Sequence, residues 1–185
     1  MYLGIYLERI RMKAGGSVAG GKGITVFVTP DKDYASQMKA IVSSASSSYK
    51  RICYVSLNKP YPVVSDSLKK QGMSLEKFFF IDCTGKSREG SGQVVYVSSP
   101  KALTEMSITI GKVLEMGKIE ALIFDSLSTL LVYADASTVV KFTNSLISML
   151  RSKGVAGFLT CLKGGIGSDI VKDISMFADK VVGGQ

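Results

Sequence analysis

Ile24-Thr25-Val26-Phe27-Val28-Thr29-Pro30 (ITVFVTP) runs into Asp31-Lys32-Asp33-Tyr34-Ala35-Ser36, and the reading of the fold turns on that junction. A short apolar run opening into a polar turn and then a helix is where a nucleotide-binding α/β protein places its phosphate loop. Such a loop needs glycines, so that backbone N–H groups can wrap the phosphates, and a lysine to reach them. The turn here has neither a glycine run nor a lysine followed by serine or threonine. Its two aspartates would repel a polyphosphate unless a metal intervened. The junction predicts a nucleotide-hydrolase architecture whose phosphate chemistry is damaged or absent.

Outward from that stretch, apolar segments and amphipathic segments alternate. Strands are expected at Ile24–Thr29, Arg51–Leu57, Phe78–Asp82, Gln93–Ser98, Ala121–Phe124, Val155–Thr160 and Lys180–Val182. Helices are expected at Tyr34–Ser46, Tyr61–Gln71, Pro100–Met116, Ser137–Ser152 and Ile170–Met176. Branched-residue strands alternating with helices predict an α/β fold, a mainly parallel sheet covered on both faces. Ahead of it, residues 1–14 carry Tyr2, Leu3, Tyr6, Leu7 and Ile10 on one face of an amphipathic helix. Residues 15–23, with Gly20-Gly21-Lys22-Gly23, read as a glycine-rich linker into a domain spanning 24–185. That GGKG precedes a strand and lacks a following hydroxyl, so it reads as a linker and not as a displaced phosphate loop.

Bulk properties fit one domain: 185 residues, 46% of them hydrophobic. No stretch reaches the ~18 consecutive apolar residues of a simple membrane-crossing helix. The N-terminal basic residues follow the apolar ones, the reverse of a secretory signal, so a cytoplasmic protein without membrane insertion is expected. Histidine is absent, which excludes imidazole acid–base chemistry and argues against zinc. Cys53, Cys83 and Cys161 lack C-x-x-C spacing and read as buried free thiols. A net charge of +8 permits nucleic-acid binding, but the basic residues are dispersed and a solvated basic surface is the simpler reading.

Ligands of open α/β sheets sit beyond the carboxyl ends of the strands. Those ends supply Pro30–Asp33, Asn58-Lys59, Asp82-Cys83-Thr84, Asp125-Ser126 and Thr160–Lys163. Asp125 closes a run of four apolar residues, the Walker B pattern that holds magnesium directly or through water. Its other reading is a cap or a bond to a neighbouring loop.

With these segments in view, the chain resembles the RecA-like ATPase superfamily, in its KaiC-like, archaeal and RadA-like branch. The resemblance is carried by Tyr54-Val55-Ser56-Leu57, by Ile123-Phe124-Asp125-Ser126-Leu127-Ser128-Thr129-Leu130-Leu131, by Leu146–Thr160 and by Ala178-Asp179-Lys180-Val181-Val182. It covers roughly residues 24 to 182 and implies a three-layer αβα sandwich with a mainly parallel central sheet. Laying the family's phosphate loop on Thr29–Ser36 puts Ser36 at the magnesium-ligating hydroxyl, Ala35 at the lysine and Tyr34 at the last glycine. Where the family has two catalytic glutamates, this chain has Asn58-Lys59, and neither an amide nor an ammonium can take a proton from attacking water. The family usually continues through further strands, so an end at Gln185 suggests a minimal or truncated version.

The expectation is therefore a non-catalytic RecA/KaiC-like domain, a pseudo-ATPase without a cofactor, working in regulatory or structural contacts as a homo-oligomer or beside a related ATPase subunit. One alternative keeps weak ATP and magnesium binding through Asp125 (the metal ligand), Ser36, Lys32 and Lys163. The other is a nucleic-acid-associated recombination accessory protein.

Overall fold

The computed structural model describes residues 21–85, 92–116 and 118–183. The expected N-terminal helix (residues 1–14) and linker residues 15–20 lie outside these.

Among the described residues seven strands form the sheet: β1 (Ile24–Thr29), β2 (Ile52–Ser56), β3 (Phe78–Asp82), β4 (Val94–Tyr96), β5 (Ala121–Asp125), β6 (Ala156–Leu162) and β7 (Lys180–Gly183). Their order is β4-β3-β2-β5-β6-β1-β7, and every pairing is parallel. The central strands β2 and β5 are buried at every position. That is why they read as continuous apolar runs and not as alternating ones.

The helices are α1 (Tyr34–Ser48), α2 (Tyr61–Lys70), α3 (Leu103–Met116), α4 (Leu127–Leu130), α5 (Ala136–Ser152) and α6 (Ser168–Ser175). Side chains of a strand alternate between the two faces of its sheet. Val26, Val55, Leu122 and Leu159 point to one face, where they pack against Ile110 of α3, Leu127 of α4, Leu146 of α5 and Ile174 of α6. Phe27, Tyr54, Ile123 and Phe158 point to the other, against Ile41 of α1 and Val64 of α2. The result is a three-layer αβα sandwich with a parallel central sheet.

Several boundaries shift from expectation for local reasons. β4 is confined to three residues because it is an edge strand that pairs only with β3. α3 begins at Leu103, since Ala102 N–H bonds the Ser99 carbonyl in a turn before it. β6 extends to Leu162, which pairs with Thr29 of β1. α6 starts two residues earlier because Val171 N–H already bonds the Gly167 carbonyl. Among the caps, Asp135 starts α5 by accepting from Thr138 N–H at 2.9 Å. Gly157 lets α5 approach β6 closely: a Cβ there would lie 2.8 Å from Ile24 Cδ1 and 3.0 Å from Leu150 Cδ1.

Candidate functional site

β1 gives way at Pro30 to a single 3₁₀ turn, Asp31–Asp33, and α1 starts at the next residue, Tyr34. Asp33 N–H bonds the Pro30 carbonyl at 2.9 Å, so the connection is tight where a phosphate loop would be open. Ser36 is exposed and its hydroxyl donates back to the Asp33 carbonyl at 2.8 Å. Lys32 is exposed in the middle of the turn, and Lys163 is exposed in a second 3₁₀ turn, Lys163–Gly165, at the end of β6. The two turns lie together, because a Cβ placed on Gly164 would be 3.4 Å from both carboxylate oxygens of Asp31.

Asp125 lies deeper, 1% exposed at the end of β5. One of its oxygens accepts the Tyr34 hydroxyl at 2.5 Å and the other accepts the Tyr54 hydroxyl at 2.8 Å. The Tyr34 hydroxyl also lies 2.8 Å from Thr160 Oγ1, which donates to the Phe124 carbonyl at 3.0 Å. Burial, followed by the negative charge of Asp125, holds both phenols far above the ordinary tyrosine range. They stay protonated and act as donors. Hydroxyl-to-carboxylate bonds of this length are charge-assisted and stronger than neutral ones.

Each part of this cluster has a local cause. Strand pairing sets Ser56 beside Asp125, and Tyr54, two residues earlier, shares its face of the sheet. Tyr34 opens α1 above the same strands because the turn after β1 is so short. Asp125 is thus gathered with Tyr34, Tyr54 and Thr160, whereas Ser36 is exposed in the first turn of α1 and Lys32 and Lys163 are exposed on the two 3₁₀ turns. Sequence reasoning missed the tyrosines as a pair. Tyr34 stood out only as a replacement for glycine, and Tyr54 only as the start of the Tyr54–Leu57 segment that carries the resemblance.

The other rim residues serve the backbone. Asp82, 1% exposed, accepts from Tyr61 N–H at 2.7 Å at the start of α2 and from Thr84 N–H and Oγ1 at 2.9 and 2.7 Å. Ser56 Oγ donates to the Lys59 carbonyl at 2.6 Å and closes the loop that carries Asn58 and Lys59, both exposed. Among the described residues no group of three or more histidine, cysteine or acidic side chains converges as a metal site, and no helix is long and apolar enough to cross a membrane.

A KaiC-like protein from the hyperthermophilic archaeon Pyrococcus horikoshii, known from its crystal structure, superimposes with a TM-score of 0.65 at 15% identity, over 90% of this chain and 73% of that one. The likeness shows the fold alone, a three-layer αβα sandwich with a parallel central sheet, as in RecA-like folds. No curated protein sequence matches the chain. Residues 23–183 match the model of a family of unknown function, DUF7504. That match spans most of the chain, which therefore belongs to the DUF7504 family.

Proposed function

We propose that this chain is a non-catalytic KaiC-like domain that works through contacts with other protein subunits, a second copy of itself or a related ATPase. One observation carries the reading: both carboxylate oxygens of Asp125 are taken by tyrosine hydroxyls. Magnesium takes near-octahedral oxygen ligands at about 2.0–2.1 Å and keeps several waters. Asp125 is 1% exposed and each of its oxygens already accepts a tyrosine hydroxyl, so magnesium would have to compete with both bonds. The Asp31–Asp33 turn adds two carboxylates where phosphates would need N–H donors. These residues do not fit a magnesium-bound nucleotide.

The energetics agree. Each lost charge-assisted bond to a phosphate removes about 1.5–3 kcal/mol of binding. Phosphoryl transfer depends almost wholly on positioning and electrostatic stabilisation, so those losses fall on the chemistry itself. The fold survives them because its stability comes from the two buried faces of the sheet.

Phosphate release from ATP with magnesium tests the catalytic half of the proposal. The expected rate equals that of the protein-free blank, and turnover that disappears in Asp125→Asn would overturn it. Light scattering on the full chain tests the contact half. A mass above the monomer supports self-association, and a monomeric mass at every concentration would remove it.

A further inference from the structure

The described chain begins at the amino edge of the sheet and is held there from several sides. The Tyr49 hydroxyl donates to the Gly21 carbonyl at 2.7 Å, and Ile24 N–H donates to Asp179 at 2.7 Å. Lys22 lies over the end of α5, since a Cβ on Gly154 would be 3.3 Å from its Nζ. Residues 1–20 therefore join the domain at this edge.

Two of the three most exposed large apolar side chains among the described residues stand at the same edge. Met116, 72% exposed, ends α3 ahead of β5, and Met176, 76% exposed, follows α6 ahead of β7. The third, Val132, follows α4 beyond the carboxyl end of β5. The end of α5 lies between the two methionines. Lys153 pairs with Glu115, next to Met116, at 3.0 Å, and Arg151 pairs with Asp179, shortly after Met176, at 2.6 Å. On the opposite layer, α1 ends in serines, Ser46, Ser47 and Ser48, and shows no exposed large apolar side chain.

Residues 1–14 lie outside the described residues, and their sequence sets Tyr2, Leu3, Tyr6, Leu7 and Ile10 at the spacing of one helix face. Length suits the segment to this edge. At about 1.5 Å per residue, such a helix measures about 21 Å. α5 packs against both α3 and α6; neighbouring helices sit about 8–10 Å apart, so α3 and α6 are separated by about 16–20 Å. Residues 15–20, at about 3.3–3.6 Å each, reach about 20 Å when extended. Charge suits it too. Arg9, Arg11 and Lys13 outnumber Glu8 in the segment, and the carboxyl ends of helices carry partial negative charge.

We propose that residues 1–14 fold back onto their own domain and lie across the ends of α3, α5 and α6, with the Tyr2–Ile10 face on Met116 and Met176. Methionine suits that contact, because its unbranched thioether adapts to irregular surfaces and packs well on aromatic rings. The tether favours docking in cis over a second copy, because a short flexible linker holds its cargo at a roughly millimolar effective concentration. The proposal does not depend on the reading of Asp125.

Peroxide oxidation of the full chain, followed methionine by methionine by peptide mass spectrometry, tests it. A covered thioether is shielded from the oxidant. Met116 and Met176 are expected to react about tenfold more slowly in the parent than in Leu3→Asp/Leu7→Asp, a ratio of about 1.4 kcal/mol in favour of the covered state. Met106, 0% exposed inside α3, is expected to stay unoxidised in both proteins, which shows that the fold is kept. Equal rates in parent and variant at either exposed methionine would overturn the proposal. Protection that rises with protein concentration would assign the cover to a second copy and overturn docking in cis. NMR of the parent with labelled methionine methyls needs no variant: contacts from Met116 and Met176 to the rings of Tyr2 or Tyr6 are expected, and their absence would overturn the proposal.

Discussion

Replacing Tyr54 with phenylalanine removes one oxygen and leaves the ring, which packs 6.2 Å from Phe80, in place. The lost bond is the 2.8 Å contact to Asp125, made by a side chain only 5% exposed. A hydrogen bond to a charged group contributes about 1.5–3 kcal/mol, and that is the expected loss for Tyr54→Phe. At about 2–4 °C per kcal/mol for a chain of this size, the melting temperature falls by roughly 3–12 °C. Tyr34→Phe alone still leaves Asp125 the Tyr54 donor. The double variant strips both phenol donors from a carboxylate that is 1% exposed. The two hydroxyls share one acceptor, so the double loss is not expected to equal the sum of the single ones. Urea unfolding followed by far-ultraviolet circular dichroism measures this, the chain having no tryptophan to report by fluorescence. A Tyr54→Phe protein within about 0.5 kcal/mol of the parent, or a strictly additive double variant, would refute the claim that the two phenols hold Asp125.

Further outcomes follow from the packing and the charges. Gly157→Ala forces a methyl against Ile24 and Leu150, and the expected cost is about 1–3 kcal/mol in the same unfolding assay; no change would mean that α5 packs more loosely on β6. Burial pushes the Cys161 thiol up to about 12 and the Cys53 and Cys83 thiols higher still. None of the three is expected to react with a thiol reagent at neutral pH until the chain unfolds, and labelling of any one at the unfolded rate would contradict its burial. Asp179 is held below the usual carboxylate range, first by the Ile24 N–H and then by Arg151. Its stabilisation is present above the unfolded-state value and is lost as pH falls through the lower folded-state value. Asp179→Asn is therefore expected to flatten the acid limb of stability below about pH 4, modestly because the side chain is 50% exposed. An acid limb identical to the parent's would contradict this.

The centre of the sheet was legible because its inner strands are buried on both sides. Ile52–Ser56 and Ala121–Asp125 each form an unbroken buried run, and such runs stand out from the amphipathic helices between them. α4 went unseen for the opposite reason: four residues make one turn, too few to display a helical period. The tight Asp31–Asp33 turn was legible in part, since its lack of glycines already spoke against a phosphate loop.

At the site, Asp125 stood out as an acidic residue closing an apolar strand, but its surroundings did not. Tyr34, Tyr54, Asp125 and Thr160 meet only because β2, β5, β6 and β1 are neighbours in that order. Local sequence does not encode that order. The residues read at the strand ends serve different ends: Asp82 accepts the first N–H of α2, Asp125 accepts two tyrosine hydroxyls, and Lys59 gives its carbonyl to Ser56, which closes their loop.

Calorimetric titration of the full chain with ATP and magnesium bears most directly on the central claim, that the tyrosine-filled Asp125 leaves no nucleotide site. The account predicts no heat of binding at tens of micromolar protein. A micromolar dissociation constant, about −8.2 kcal/mol of binding free energy, would contradict it, and its loss in Asp125→Asn would return the aspartate to magnesium.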